Sequence, residues 1–245
     1  MILSIAQIEQ NLAAVQERIA GAALRAGRDP AAVTLVAVTK TFPPEVVVAA
    51  HEAGLRHFGE NRVEEAGEKI PAVRERLAAD ITWHMIGHIQ SRKTGDVVPL
   101  FSWVHSVDRF KIARRLSEAG AAAGRTLDVL LEVNLSGEET KYGFDLQGWE
   151  RDAARLEAFS AEVARIAALP ALRLRGLMTM APYTDQPETV RPVFAGLRGL
   201  RDALSERLPG VELAHLSMGM SGDFEVAVEE GATLVRIGTA IFGLR

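Results

Sequence analysis

The sequence predicts a closed (β/α)8 TIM barrel with an extra helix at its N-terminal end. Eight short apolar strand patterns alternate with longer helical patterns along 245 residues. Such alternation implies parallel strands joined by right-handed crossovers, and eight units in this length match one closed barrel. An open doubly wound sheet is the alternative, but no Gly-x-Gly-x-x-Gly follows the first strand. Hydrophobic residues make up 48% of the chain, enough to fill one core. No linker or low-complexity run interrupts it, so residues 1–245 are expected to form one domain.

The leading helix is read from Ser4 to Gly27, where Ile5, Ile8, Leu12, Val15, Ile19 and Leu24 recur at three or four. The first strand is Leu35–Lys40, stopped by Thr41-Phe42-Pro43-Pro44, and a helix runs from Pro44 to Ala53. Strand His57–Asn61 precedes helix Arg62–Leu77, and strand Thr82–His88 precedes a short polar turn or helix over Gln90–Val98. Strand Trp103–Asp108 leads into the alanine- and arginine-rich helix Arg109–Ala123. The clearest strand is Leu127–Leu135, followed by a long helix over Leu146–Leu169. Strand Leu172–Met180, helix Glu188–Leu208, strand Glu212–Ser217, helix Asp223–Glu230 and strand Leu234–Phe242 complete the series.

Composition narrows the function. A net charge of −4 carries no basic footprint for nucleic acid or an anionic membrane surface. The absence of cysteine removes disulfides, thiolate metal sites and thiol nucleophiles. No His/Asp/Glu set has metal-ligand spacing. The N-terminus lacks a signal-peptide pattern and the apolar runs are too short to span a bilayer. A cytoplasmic monomer is expected, since the helices carry mixed charge with no long apolar seam.

Barrel chemistry sits at the C-terminal ends of the strands. The first strand there ends on Lys40, one of only five lysines among 28 basic residues. An amine at that place is a Schiff-base candidate, a role arginine cannot take. Ser217-Met218-Gly219-Met220-Ser221-Gly222-Asp223 and Arg236-Ile237-Gly238-Thr239 follow or end the last two strands. Hydroxyls, glycines and a cation in those loops suit a phosphate. A reactive lysine beside a phosphate cradle points to pyridoxal 5′-phosphate, with Arg236 placed to donate to the pyridine nitrogen.

Several motifs carry a resemblance over essentially the whole chain: Val38-Thr39-Lys40-Thr41, Phe58-Gly59-Glu60-Asn61, the run Trp83 to Gln90, Gly176-Leu177-Met178-Thr179-Met180, the run Leu216 to Ser221, and Arg236-Ile237-Gly238-Thr239. The chain resembles the pyridoxal phosphate homeostasis protein family, which is similar in fold to the N-terminal barrel of alanine racemase. That resemblance implies binding and buffering of pyridoxal phosphate in vitamin B6 homeostasis, and its delivery to apo-enzymes, without established catalysis. It assigns Lys40 to the Schiff base, Ser217, Gly238 and Thr239 to the phosphate, Arg236 to the ring nitrogen and Asn61 to the ring's side. His88 stands where the family more often has a proline or a similar residue.

Two enzyme readings compete. A racemase or decarboxylase using the same cofactor needs further acid-base groups; racemisation needs a second base opposite Lys40. Only Tyr142 and Tyr183 are available as tyrosines, and the chain ends just after the eighth strand. A cofactor-free lysine aldolase would need Glu60 or His84 beside Lys40, yet alternation turns Glu60 away from Asn61. Lys141, beside Glu138 and Glu139, is a candidate second amine for cofactor transfer, although a solvated ion pair explains it as well.

Overall fold

The structure is a computed structural model that describes residues 4–77, 80–138 and 140–243. Its strands are β1 (Thr34–Val38), β2 (His57–Glu60), β3 (Thr82–Met85), β4 (Trp103–Val107), β5 (Leu127–Asn134), β6 (Phe144–Asp145), β7 (Leu172–Met178), β8 (His215–Ser217) and β9 (Leu234–Ile237). All except β6 form one parallel ring in the order β1-β2-β3-β4-β5-β7-β8-β9. It closes where Thr34 to Ala37 of β1 pair with Leu234 to Ile237 of β9. The expected eight-stranded barrel is therefore present.

Helices α1 (Ile5–Arg25), α2 (Pro44–Glu52), α3 (Val63–Arg76), α4 (Thr94–Val97), α5 (Phe110–Ala122), α6 (Ala153–Ala167), α7 (Arg191–Arg207), α8 (Phe224–Glu229) and α9 (Thr239–Phe242) accompany the ring. Helix α1 is the extra element. Ser4 Oγ accepts from Gln7 N–H at its start, while Ile8, Leu12, Val15 and Ile19 form the buried stripe. Asn11 ties it to α9 by donating to the Ile241 carbonyl at 2.8 Å. No helix among the described residues is long and apolar enough to cross a membrane.

Several boundaries differ from the sequence reading: the first strand ends at Val38, the strand expected from Glu212 starts at His215, the helix expected from Glu188 starts at Arg191, and three further differences bear on the site. The long helix starts at Ala153 rather than Leu146, because Asp152 leaves helical geometry and accepts from Arg155 N–H at 2.9 Å. Before it, Phe144–Asp145 form β6, paired with the end of β5, and Trp149–Arg151 make a single 3-10 turn. The last strand stops at Ile237, and Ala240-Ile241-Phe242 belongs to α9. A short apolar run has no period that separates strand from helix, and here helical hydrogen bonds to the Gly238 carbonyl decide. The third strand likewise ends at Met85, leaving Ile86 to His88 in the loop.

Alternation sorts the side chains into two layers. Ala37, Phe58, Trp83, Met85, Val129, Leu131 and Val235 face the helices and form the main core. Val36, Leu130, Met178 and Leu234 form a small separate apolar cluster inside the barrel. Phe58 is fully buried against the Trp83 ring, with centroids 5.7 Å apart. Phe58→Ala is expected to lower stability by about 3–5 kcal/mol through the cavity it opens. Guanidinium unfolding of the two proteins measures this, and a loss below about 1 kcal/mol would contradict the packing described.

Candidate functional site

A cavity of about 500 Å³ opens at the C-terminal ends of the strands. Lys40, Asn61, Arg236, Gly238 and Thr239 all line it, so five of the six sequence-derived site residues converge there. Ser217 does not. It belongs to β8, is fully buried, and its Oγ lies between Arg236 Nη1 at 2.6 Å and His105 Nδ1 at 2.9 Å. The serine of this loop on the cavity wall is Ser221, four residues further along.

The path of that loop explains the difference. Gly219 has φ +93°, and a Cβ there would lie 2.6 Å from the Ala227 Cβ and 2.9 Å from the Phe224 Cα. The chain turns sharply, and its next residues come over the cavity instead of continuing the strand. Ser221 Oγ then accepts from Ala240 N–H at 3.2 Å, fastening this loop to the start of α9. Gly222 lines the same wall, and a Cβ on it would meet no protein atom within 4 Å. The two loops line this part of the cavity with small residues and hydroxyls, groups whose chemistry suits an anion.

Lys40 sits just beyond β1 on a segment held from below. Thr41, the next residue, has φ +65°, a conformation that a β-branched residue adopts at a cost of about 1 kcal/mol or more. A buried network fixes it. Lys69 Nζ donates to the Thr39 carbonyl at 2.8 Å, to Glu60 Oε1 at 2.8 Å and to Glu65 Oε1 at 2.7 Å. Thr39 Oγ1 donates to Glu60 Oε1 at 2.7 Å, and Glu65 accepts from Thr41 N–H. Glu60 faces α3, as alternation requires, and therefore orders the lysine segment instead of acting beside Lys40.

Arg236 is 4% exposed. Its Nη2 donates to the Thr179 carbonyl at 3.0 Å, and its guanidinium borders the cavity. Burial lowers its pKa to about 10, against the opposing pull of Asp223 and Glu132, so it is a cation at neutral pH. Asp223, also on the cavity wall, is pushed up by burial while Met220 N–H bonds to its Oδ1 at 2.6 Å.

Other singled-out residues lie off the cavity wall or at its edge. Lys141 Nζ lies 3.0 Å from Glu138 Oε1 and donates to the Met180 carbonyl at 3.2 Å. Tyr142 stacks on His88, ring centroids 3.7 Å apart, while His88 Nδ1 is 3.1 Å from Asp108 Oδ2. Tyr183 lines the rim but is 94% exposed. Among the described residues no His/Cys/Asp/Glu group could hold a metal.

Glu132 supplies a pH test of this interior. Burial, reinforced by Asp108, raises its carboxyl from 4.5 to about 7, opposed by Arg236. The folded state thus favours the protonated acid, so this contribution is full below pH 4.5 and is lost as pH rises to about 7. Replacing the carboxyl with an amide removes that slope. Glu132→Gln is expected to gain on the wild type by at most about 3 kcal/mol between pH 4.5 and 7.5 in denaturant titrations. Parallel pH–stability curves would refute the assignment.

Comparison with known proteins places this geometry. Residues 4–245 match the family model for the alanine racemase N-terminal domain. The chain is 47% identical over 238 residues to the pyridoxal phosphate homeostasis protein of Pseudomonas aeruginosa, covering 97% of this chain and 96% of that one. For the protein of the same name from Aquifex aeolicus the identity is 43% over 236 residues, covering 96% and 97%. PipY of Synechococcus elongatus PCC7942, solved with PLP bound, is similar with a TM-score of 0.78 and 36% identity, over 94% of this chain and 100% of that one. Alanine racemase of Clostridium difficile 630 shares the fold at 14% identity and a TM-score of 0.72, with 99% of this chain matching 58% of the enzyme. The chain belongs to the pyridoxal phosphate homeostasis protein family, built on the barrel of the alanine racemase N-terminal domain.

Proposed function

We propose that this protein binds pyridoxal 5′-phosphate in the cavity and serves as its carrier or buffer in vitamin B6 homeostasis, passing it to apo-enzymes that use it. The observation that carries the reading is the meeting, around one cavity, of Lys40 with Arg236 and the cradle of Ser221, Gly222, Gly238 and Thr239. The relatives named for pyridoxal phosphate homeostasis and the PLP-bound structure of PipY support it.

When bound, the cofactor supplies an aldehyde that a lysine amine can condense with, releasing water. Lys40 is the amine for that bond, and the clamp around Thr39 and Thr41 fixes where it stands. Ser221 and Thr239 hydroxyls, with the backbone at Gly222 and Gly238, would hold the phosphate. Asn61, just past the end of β2, would border the ring. Arg236 can only donate, so a ring nitrogen placed against it would have to accept. An unprotonated ring withdraws electrons weakly, which suits storage better than turnover. The tyrosines give no base across from Lys40: Tyr142 is stacked on His88 and Tyr183 is turned out at the rim.

Two outcomes test this. Lys40→Ala is expected to lose borohydride trapping of pyridoxal phosphate and the visible absorbance of the bound form, with an unchanged far-UV circular dichroism spectrum. Equal trapping in the variant would move the bond elsewhere, with Lys141 the next site to examine. Pyridoxal, which lacks the phosphate, is expected to bind at least about two orders of magnitude more weakly than pyridoxal phosphate, from the loss of charge-assisted hydrogen bonds worth about 1.5–3 kcal/mol each. Equal dissociation constants would refute the cradle.

A further inference from the structure

A row of polar side chains runs through the barrel beneath the cavity. His57 Nδ1 lies 3.0 Å from His84 Nε2, and His84 Nδ1 lies 2.9 Å from His105 Nε2. His105 Nδ1 lies 2.9 Å from Ser217 Oγ, which Arg236 Nη1 reaches at 2.6 Å. The row crosses β2, β3 and β4, then passes to β8 and β9. His84, His105 and Ser217 are fully buried, whereas His57 is only half-buried. Each ring is engaged in the same sense: Nδ1 towards Arg236, Nε2 back towards His57.

Arg236 sets the direction of every proton in this row. A guanidinium only donates, so Ser217 Oγ accepts from it. The serine hydrogen then goes to its other contact among the described residues, His105 Nδ1. A proton on that nitrogen instead would leave Ser217 with two donors and a buried hydrogen lacking an acceptor, at the cost of an unmade hydrogen bond. His105 therefore carries its hydrogen on Nε2 and donates to His84 Nδ1. His84 does the same towards His57. Burial pushes both His84 and His105 well below the ordinary histidine range, so each is neutral and holds one ring hydrogen.

We infer that His105 and His84, acting through Ser217, are positioning residues for Arg236: their head-to-tail hydrogen bonds lock the guanidinium as a donor facing the cavity. The inference rests on the reading of that cavity as a pyridoxal phosphate site. Without Ser217 the guanidinium keeps the Thr179 carbonyl but loses its 2.6 Å anchor from below. Hydrogen bonds in such a row polarise one another in a water-poor interior. The row gives the three histidines partners in a barrel interior that also holds the apolar cluster of Val36, Leu130, Met178 and Leu234.

The experiment has a part that needs no cofactor. ¹⁵N-histidine spectra of the protein free of pyridoxal phosphate are expected to show bare Nδ1 and protonated Nε2 at both His84 and His105. A protonated Nδ1 at either position would overturn the inference. The second part loads ¹⁵N-pyridoxal phosphate. Ser217→Ala is expected to shift the ring-nitrogen resonance and weaken binding by about tenfold. His105→Leu is expected to do the same and Ser217→Thr, which keeps the hydroxyl, to match the wild type. In an Arg236→Gln background Ser217→Ala is expected to add nothing further. Unchanged ring nitrogen and affinity in whichever of Ser217→Ala and His105→Leu folds would overturn the positioning role. Failure of the wild type to take up pyridoxal phosphate would refute the cofactor reading instead, with the histidine tautomers still deciding the row.

Discussion

Closure of the parallel ring is the constraint on which the rest of this structure depends. Once Thr34 to Ala37 pair with Leu234 to Ile237, every strand residue must face either the interior or the helices. That binary choice puts Arg236, Ser217, His105 and His84 inside and Ile237, Leu216, Val104 and Trp83 outside. It also sends Glu60 outward to Lys69, where the pair braces the lysine segment from behind. A slip of one residue in any of these strands would exchange the two sets.

The interior is divided by height. Apolar packing from Val36, Leu130, Met178 and Leu234 fills part of it, and buried polar groups fill much of the remainder. Arg236, Glu132 and Asp223 share this low-dielectric space, which pushes both carboxyls up and the guanidinium down. The arginine remains charged because its ordinary pKa is so high. Gly238 and Thr239 follow immediately after the strand that carries Arg236, so the guanidinium and the small residues and hydroxyls of the cavity wall are joined by a few residues of chain.

The lysine is held by a different device. A buried ion pair adds little net stability compared with an apolar alternative, but breaking it leaves an unpaired charge. Lys69 satisfies three oxygens around Thr39 to Thr41, so its contribution here is geometric: it keeps Thr41 in a left-handed conformation and Lys40 at the mouth. The structural relatives carry the same barrel, and in alanine racemase that barrel accounts for 58% of the matched chain.

Sequence alone determined the repeating unit and the residues at the strand ends. Period-two apolar strands, helical stripes and turn residues are local, so eight units, the extra helix and the convergence of Lys40, Arg236, Gly238 and Thr239 on the mouth of the barrel were all legible. Asn61 was reached through resemblance rather than pattern. The register of the loop after β8 was not legible: Ser217 and Ser221 look equivalent in Ser217-Met218-Gly219-Met220-Ser221, and only the turn at Gly219 decides which hydroxyl meets the cavity. The run after Ile237 read as strand because three apolar residues have no distinguishing period; hydrogen bonds to the Gly238 carbonyl make it helix, and Asn11 of α1 ties it down. The histidine row was hidden for a deeper reason. Its members are separated by 27, 21 and 112 positions, and only curling the sheet into a closed ring brings their rings within 3.0 Å of one another and of Ser217.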